Sequence, residues 1–147
     1  MRILLPLFTL LWIALSVSAA DDFDVIKKRV VTELMKSRVD DTEVESILTK
    51  MKADGSFDDI NYTDLSRTAG FPHGQHTANL VKLAKAYKEK TSAYYRKRKL
   101  KDQITRAYKY WVEHDFFGDN WHNNQITTPT NLVNLMLLVG DELPADL

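Results

Sequence analysis

The sequence predicts an all-α protein, and three observations carry that expectation. Apolar residues recur at spacings of three and four in successive segments from residue 22 onward. Helix-start and helix-stop residues fall at the ends of those segments. None of the 147 residues is cysteine, so neither a disulfide framework nor thiolate chemistry organises the chain.

Residues 1–20 stand apart from the rest. Arg2 opens the chain with a positive charge, Leu4 to Val17 is nearly all apolar, and Ser16-Val17-Ser18-Ala19-Ala20 supplies small residues. This order reads as a secretory signal peptide at 1–20, with the mature chain at 21–147 in a secreted or periplasmic compartment. The apolar run is shorter than the ~20 residues a spanning helix requires, so no membrane association is expected after cleavage. Loss of Arg2 leaves 19 basic against 20 acidic side chains. A balance so close to neutral gives no reason to expect a nucleic-acid partner.

The mature chain then reads as helices in order. Over Asp22–Lys36, Phe23, Ile26, Val30 and Leu34 form a stripe, with Lys27, Lys28 and Glu33 on the other side. Asp40 or Asp41 offers the next cap, or Thr42 does so as the first residue of a capping box with Glu45. Val44, Ile47, Leu48 and Met51 continue that helix, and Asp54-Gly55 is expected to stop it. Residues 56–75 form a connector too long to be structureless in a compact domain. Its aromatics, Phe57, Tyr62 and Phe71, are expected to pin it, with Leu65 in a short helical turn. From His76, a further stripe runs through Leu80, Leu83, Ala84 and Tyr87. Arg96-Lys97-Arg98-Lys99-Leu100-Lys101 is read as the solvated start of the following helix, or else as a patch for an anionic polymer.

The strongest amphipathic segment is Leu100–His114, with Ile104, Ala107, Tyr108, Trp111 and Val112 on one face. Phe116, Phe117 and Gly118 close it. Thr128 reads as the cap of the last helix, with Pro129 at its first position. That helix is apolar on nearly all sides from Leu132 to Val139, which predicts burial all round. Gly140 ends it.

Between the last two helices lies Asn120-Trp121-His122-Asn123-Asn124-Gln125-Ile126-Thr127-Thr128-Pro129. Amides and hydroxyls suit ring hydroxyls, and an indole face suits the C–H face of a pyranose. The same residues equally describe a polar connector with Trp121 as a core anchor, and composition leaves both readings open. His73 and His76, three apart, could share a helix face. No cysteine or carboxylate cluster completes a metal-ligand spacing with them or with His114 and His122, so neither metal nor cofactor is expected.

The stretch from Asn120 to Pro129 resembles the Asn-Trp-Trp-x-Asn-x-Ile-Gly/Ala-x-Pro motif of the family 8 polysaccharide lyases, the chondroitin, hyaluronan and xanthan lyases, with Thr127 where the family has the small residue after Ile. Asp54-Gly55-Ser56-Phe57-Asp58-Asp59-Ile60-Asn61-Tyr62 is similar to that family's Asp-Gly-Ser-Trp turn. Arg106-Ala107-Tyr108-Lys109-Tyr110-Trp111 is similar to the helix before its Trp-rich loop. The three fall in the family's order. The resemblance implies helical hairpins forming the first part of an incomplete α/α toroid, in an enzyme that cleaves uronic-acid-containing polysaccharides by β-elimination. It implies an acidic polysaccharide as partner and sugar contacts at Trp121, His122 and Asn124, with His122 standing where the family has a second tryptophan. The family's catalytic Asn, His, Tyr and Arg have no match here, which implies no catalytic residue in these 147 and a partnership with the remainder of such an enzyme. The alternative is a stand-alone secreted helical polysaccharide-binding protein without catalysis.

Overall fold

A computed structural model describes residues 22–66 and 71–145. The expected leader therefore lies outside the described residues. Five α-helices carry the fold: α1 (Asp22–Leu34), α2 (Asp41–Thr49), α3 (Gly74–Lys88), α4 (Arg98–His114) and α5 (Thr128–Val139). A π-helical turn at Asn123–Thr127 leads into α5, and a 3-10 turn at Gly140–Glu142 follows it. No helix among the described residues is long and apolar enough to cross a membrane.

α3 is the hub. It packs against α2, α4 and α5, while α1 lies on α5. Eight of its fifteen residues are buried, including the small ones Thr77, Ala84 and Ala86. Small side chains let three neighbours approach one helix closely, and Leu80, Leu83 and Tyr87 fill the space between them. The residues at three-and-four spacing in α2 (Val44, Ile47) and α4 (Leu100, Ile104, Ala107, Trp111) face this hub.

Burial on several sides, expected of α5, belongs more to α3, with eight buried residues against three. In α5 only Leu135, Leu138 and Val139 are buried, and Val133 is 55% exposed. One face of α5 meets α3 and α1 lies on another, which leaves Val133 in solvent whatever its hydropathy. On α1, too, the expected stripe is only partly used: Phe23 and Ile26 are both exposed, and no residue of this helix is fully buried.

Asp40 is the cap of α2; its side chain accepts the N–H of Thr42 at 2.9 Å. Asp41, one residue on, reaches across to the α3–α4 connection. It accepts from the Ala93 N–H and the Ser92 hydroxyl, and these bonds hold its carboxyl below the usual range. The helix ends at Thr49, five residues before the expected stop. The last bonds tighten to three-residue spacing, from Lys50 N to Ile47 O and from Met51 N to Leu48 O. Asp54-Gly55 belongs to a separate turn, closed by Lys52 N–H donating to Ser56 O and an isolated antiparallel bridge between Met51 and Phe57. Gly55 supplies the positive φ of 95° at its tip.

Of the connector's expected aromatic pins, Phe57 and Phe71 are buried, while Tyr62 is half-buried and held through its hydroxyl; Ile60 is buried beside them. Leu65 is not in a helical turn: it lies in irregular backbone, where its carbonyl accepts the Asp119 N–H at 2.9 Å. At the other end, Tyr87 donates to Glu142 and Lys88 pairs with the same carboxylate, each at 2.6 Å. These bonds fasten the chain's last described turn to α3.

Candidate functional site

The amide-rich stretch is helical rather than a loop. Trp121 and His122 already have helical backbone, and Asn120 caps them by accepting the His122 N–H on its side chain at 3.1 Å. The π-turn over Asn123–Thr127 follows, in which Thr128 N–H donates to Asn123 O, five residues back. Its physical reason is Pro129. Proline has no N–H for the carbonyl four residues back and its ring crowds that carbonyl. A wider turn just before it shifts the bonding register and accommodates both. Thr128 is thus inside a continuous helix and caps nothing; its hydroxyl is buried without a partner among the described residues.

The three residues singled out from the sequence have different fates. Trp121 is 59% exposed, so it is not a core anchor. His122 is also exposed, with Nδ1 at 3.3 Å from the Thr127 hydroxyl. Its ring stands edge-on to the indole, with centroids 5.7 Å apart and planes at 76°. The pair therefore forms a corner rather than one flat platform. Asn124 is turned inward: its amide donates to Gly118 O at 2.6 Å and accepts from Gly118 N–H at 3.2 Å. It clamps the chain reversal that delivers Trp121, and both ends of its amide are engaged.

Gly118 itself rests against the connector. A Cβ there would fall 2.8 Å from the Phe71 ring and 2.9 Å from Leu65 O. With Asp119 N–H also bonded to Leu65 O, the turn before Trp121 is fixed to the residues just ahead of α3. Asn131 of α5 donates to the Thr77 hydroxyl at 3.0 Å and ties the far side of the same segment to α3.

Beside this turn lies a cluster that sequence reasoning did not assemble. His73 and His76 are both fully buried. The His76 Nε2 lies 2.9 Å from the carbonyl of Ala107, so Nε2 carries the proton and donates. The Nδ1 lone pair then accepts the Tyr62 hydroxyl at 2.8 Å, and the Tyr62 oxygen accepts the Phe57 N–H at 3.1 Å. Burial holds the His76 imidazole down to about 4, and the Ala107 carbonyl opposes this only in part. Burial likewise pushes the Tyr62 phenol well above its ordinary range. The chain of bonds is neutral and closed on backbone at both ends. It locks the connector to α4 and leaves no proton free for transfer.

His73 donates from Nε2 to the Tyr62 carbonyl at 3.0 Å, and its Nδ1 is buried without a partner among the described residues. Tyr110, His114 and Phe116 stack at the surface of the same cluster, Tyr110 and His114 with centroids 4.1 Å apart. The histidines hold backbone, and among the described residues no group of three or more His, Cys, Asp or Glu could hold a metal ion. The sequence signals for this cluster are the three-residue spacing of His73 and His76 and the density of rings in 57–76 and 108–117. Its bonds cross 14 and 31 residues, beyond what local periodicity reveals.

Residues 12–147 match the family model described as polysaccharide lyase family 8, N terminal alpha-helical domain. The chain is 38% identical over 117 residues to chondroitinase-AC of Pedobacter heparinus, covering 79% of this chain and 17% of that protein. A solved chondroitinase AC lyase structure, from work on its active site with enzyme–oligosaccharide complexes and mutagenesis, superposes with a TM-score of 0.72 at 36% identity. That match covers 80% of this chain and 17% of the solved one, and the helical architecture is the same. The chain thus spans about a sixth of the length of these relatives.

Proposed function

The chain belongs to polysaccharide lyase family 8, and on that premise we propose that it is the N-terminal, carbohydrate-binding helical part of a secreted lyase acting on uronic-acid-containing polysaccharides by β-elimination. The substrate class is an acidic polysaccharide of chondroitin, hyaluronan or xanthan type. The observation that carries the reading is Trp121, a large apolar ring 59% exposed at a capped and clamped helix start. An indole held open on a rigid element can stack on a sugar without an ordering cost at the moment of binding. Direct contact is assigned to Trp121 and His122, and Asn124 holds the turn that presents them.

Trp121→Ala is expected to weaken binding of a chondroitin oligosaccharide several-fold, about 1 kcal/mol of stacking, with an unchanged far-ultraviolet circular dichroism spectrum. His122→Trp should tighten binding by enlarging the aromatic surface. Calorimetric titration of the three proteins decides the matter. If Trp121→Ala leaves the affinity where it was, the site is wrong.

β-Elimination removes the C5 proton of a uronate and expels the oxygen at C4. It needs a base, a group that neutralises the carboxylate, and an acid for the leaving oxygen. Tyr62 and His76 are bonded to each other and to backbone at both ends, which suits neither to these roles. The 147 residues alone are expected to make no unsaturated uronate from chondroitin, hyaluronan or xanthan. Enzyme-dependent growth of ultraviolet absorbance on any of the three would overturn this assignment.

Secretion rests on the leader at 1–20. The exported protein is expected to begin at Ala20 or Asp21, and amino-terminal sequencing that returned Met1 would exclude cleavage.

A further inference from the structure

α4 is 17 residues long, or about 25 Å. Trp121 follows its C-terminal end. Alongside its N-terminal end, between α2 and the α3–α4 connection, runs a groove of about 440 Å³. Leu48, Tyr94 and Leu100 give it apolar walls, and Gln103 adds an amide. Lys97 and Lys99 stand on its rim, both exposed, and neither has an ion pair or side-chain hydrogen bond among the described residues. Arg96 and Arg98 flank them, and Glu45 is the one acidic residue in the lining.

We infer that this groove is a second contact for an acidic polysaccharide, gripping a length of chain away from Trp121 through its carboxylate or sulfate groups. The inference rests on the polysaccharide reading above and adds a site to it. Its chemistry is complementary to such a chain. A tyrosine ring with two leucines suits the C–H faces of pyranoses, the amide suits hydroxyls, and two unpaired ammonium groups suit regularly spaced anions. A single aromatic ring offers little stacking surface to successive bases, and the whole chain carries no net charge, which disfavours nucleic acid.

The charge placement is also one that the isolated fold does not favour. α1 and α2 begin with acidic residues in their first turns, whereas α4 begins with cations and no acid. Cations at a helix N-terminus oppose its dipole. An anionic chain lying across Lys97 and Lys99 would relieve that repulsion.

The test is a titration of the isotopically labelled 147-residue chain with a size-defined chondroitin sulfate oligosaccharide, followed by amide chemical shifts. Two separate groups of shifts are expected, one at Trp121 and His122 and one at Tyr94, Leu100 and Gln103. In Lys97→Gln/Lys99→Gln the second group should need about tenfold more ligand, and rising salt should weaken it first. Neither lysine is buried, so the variant is expected to fold, and its Trp121 shifts report that it has. Shifts at Trp121 alone would overturn the groove and leave the first site standing. Shifts at the groove alone would keep it and remove Trp121. No shift at either would remove both. Equal or tighter response of the groove to a single-stranded DNA oligomer would overturn the saccharide assignment in favour of a general polyanion surface.

Discussion

Replacing Gly55 by alanine is expected to destabilise the fold by about 3–4 kcal/mol and to lower the melting temperature by on the order of 10 °C. Two costs add. At φ 95° an L-residue is strained, and a Cβ built there falls 2.4 Å from the carbonyl oxygen of Arg106 and 2.9 Å from the Ala107 nitrogen. Those atoms are backbone in the middle of α4, so no side chain can swing aside. The turn must lift away from α4, and Phe57 and the Tyr62–His76–Ala107 chain of bonds move with it. Gly74→Ala is the control. There the nearest atom would be 3.5 Å away and φ is negative, so stability should hold or rise slightly. Gly55→Asn separates the two costs, because asparagine tolerates positive φ but carries the same Cβ. It should be nearly as destabilised as alanine. Thermal melts of the three variants are sufficient, and a Gly55→Ala protein melting within about 2 °C of wild type would mean that the turn does not sit against α4.

Gly55 also illustrates how the chain could be read. In sequence it reads as a helix stop, because glycine with positive φ commonly ends helices. The conformation was inferred correctly and the context was not, since α2 had already ended at Thr49. The four main helical stripes and the helix count came from local periodicity, which reports amphipathic faces directly. Periodicity cannot say how many faces are covered. That is why the all-round apolar α5 looked central, when α3, with a smaller apolar share and more small residues, is the hub.

At the candidate site, the residues were legible and their arrangement was not. Amides, threonines and a proline are poor helix formers, so Asn120–Pro129 read as a loop. What makes it helical is one cap, one wide turn and the Asn124 clamp on Gly118, and none of these leaves a periodic signature. The histidine pair was likewise visible as a spacing. Its function, tying an irregular connector to the carbonyl of Ala107, depends on a tertiary contact.

That contact makes stability depend on pH, and the effect should be large. His76 is held neutral, its value lowered from the ordinary 6.5 to about 4, first by burial and to a lesser extent by the nearby His114. In the unfolded chain its imidazole takes up a proton near 6.5, while in the folded chain it does so only near 4. Between those values the unfolded state binds more protons, so stability rises with pH. The contribution is fully present above about 6.5 and is lost as pH falls toward 4, at about 1.4 kcal/mol per pH unit, roughly 3 kcal/mol in all. Asp41 and Asp54 are shifted below the usual carboxylate range by hydrogen bonds, so their own losses belong to more acid conditions. His76→Gln provides the test, since its amide can still donate to Ala107 and accept from Tyr62 but takes up no proton. Urea unfolding from pH 7 to pH 4.5 should show a steep loss of stability in wild type and a nearly flat line for the variant. The variant itself will be less stable at pH 7, because the amide fills the ring's space poorly, so the slope and not the intercept carries the decision. Parallel slopes for the two proteins would show that His76 accepts its proton as readily folded as unfolded. The closed, neutral chain from Phe57 through Tyr62 to Ala107 would then not be what holds the connector against α4.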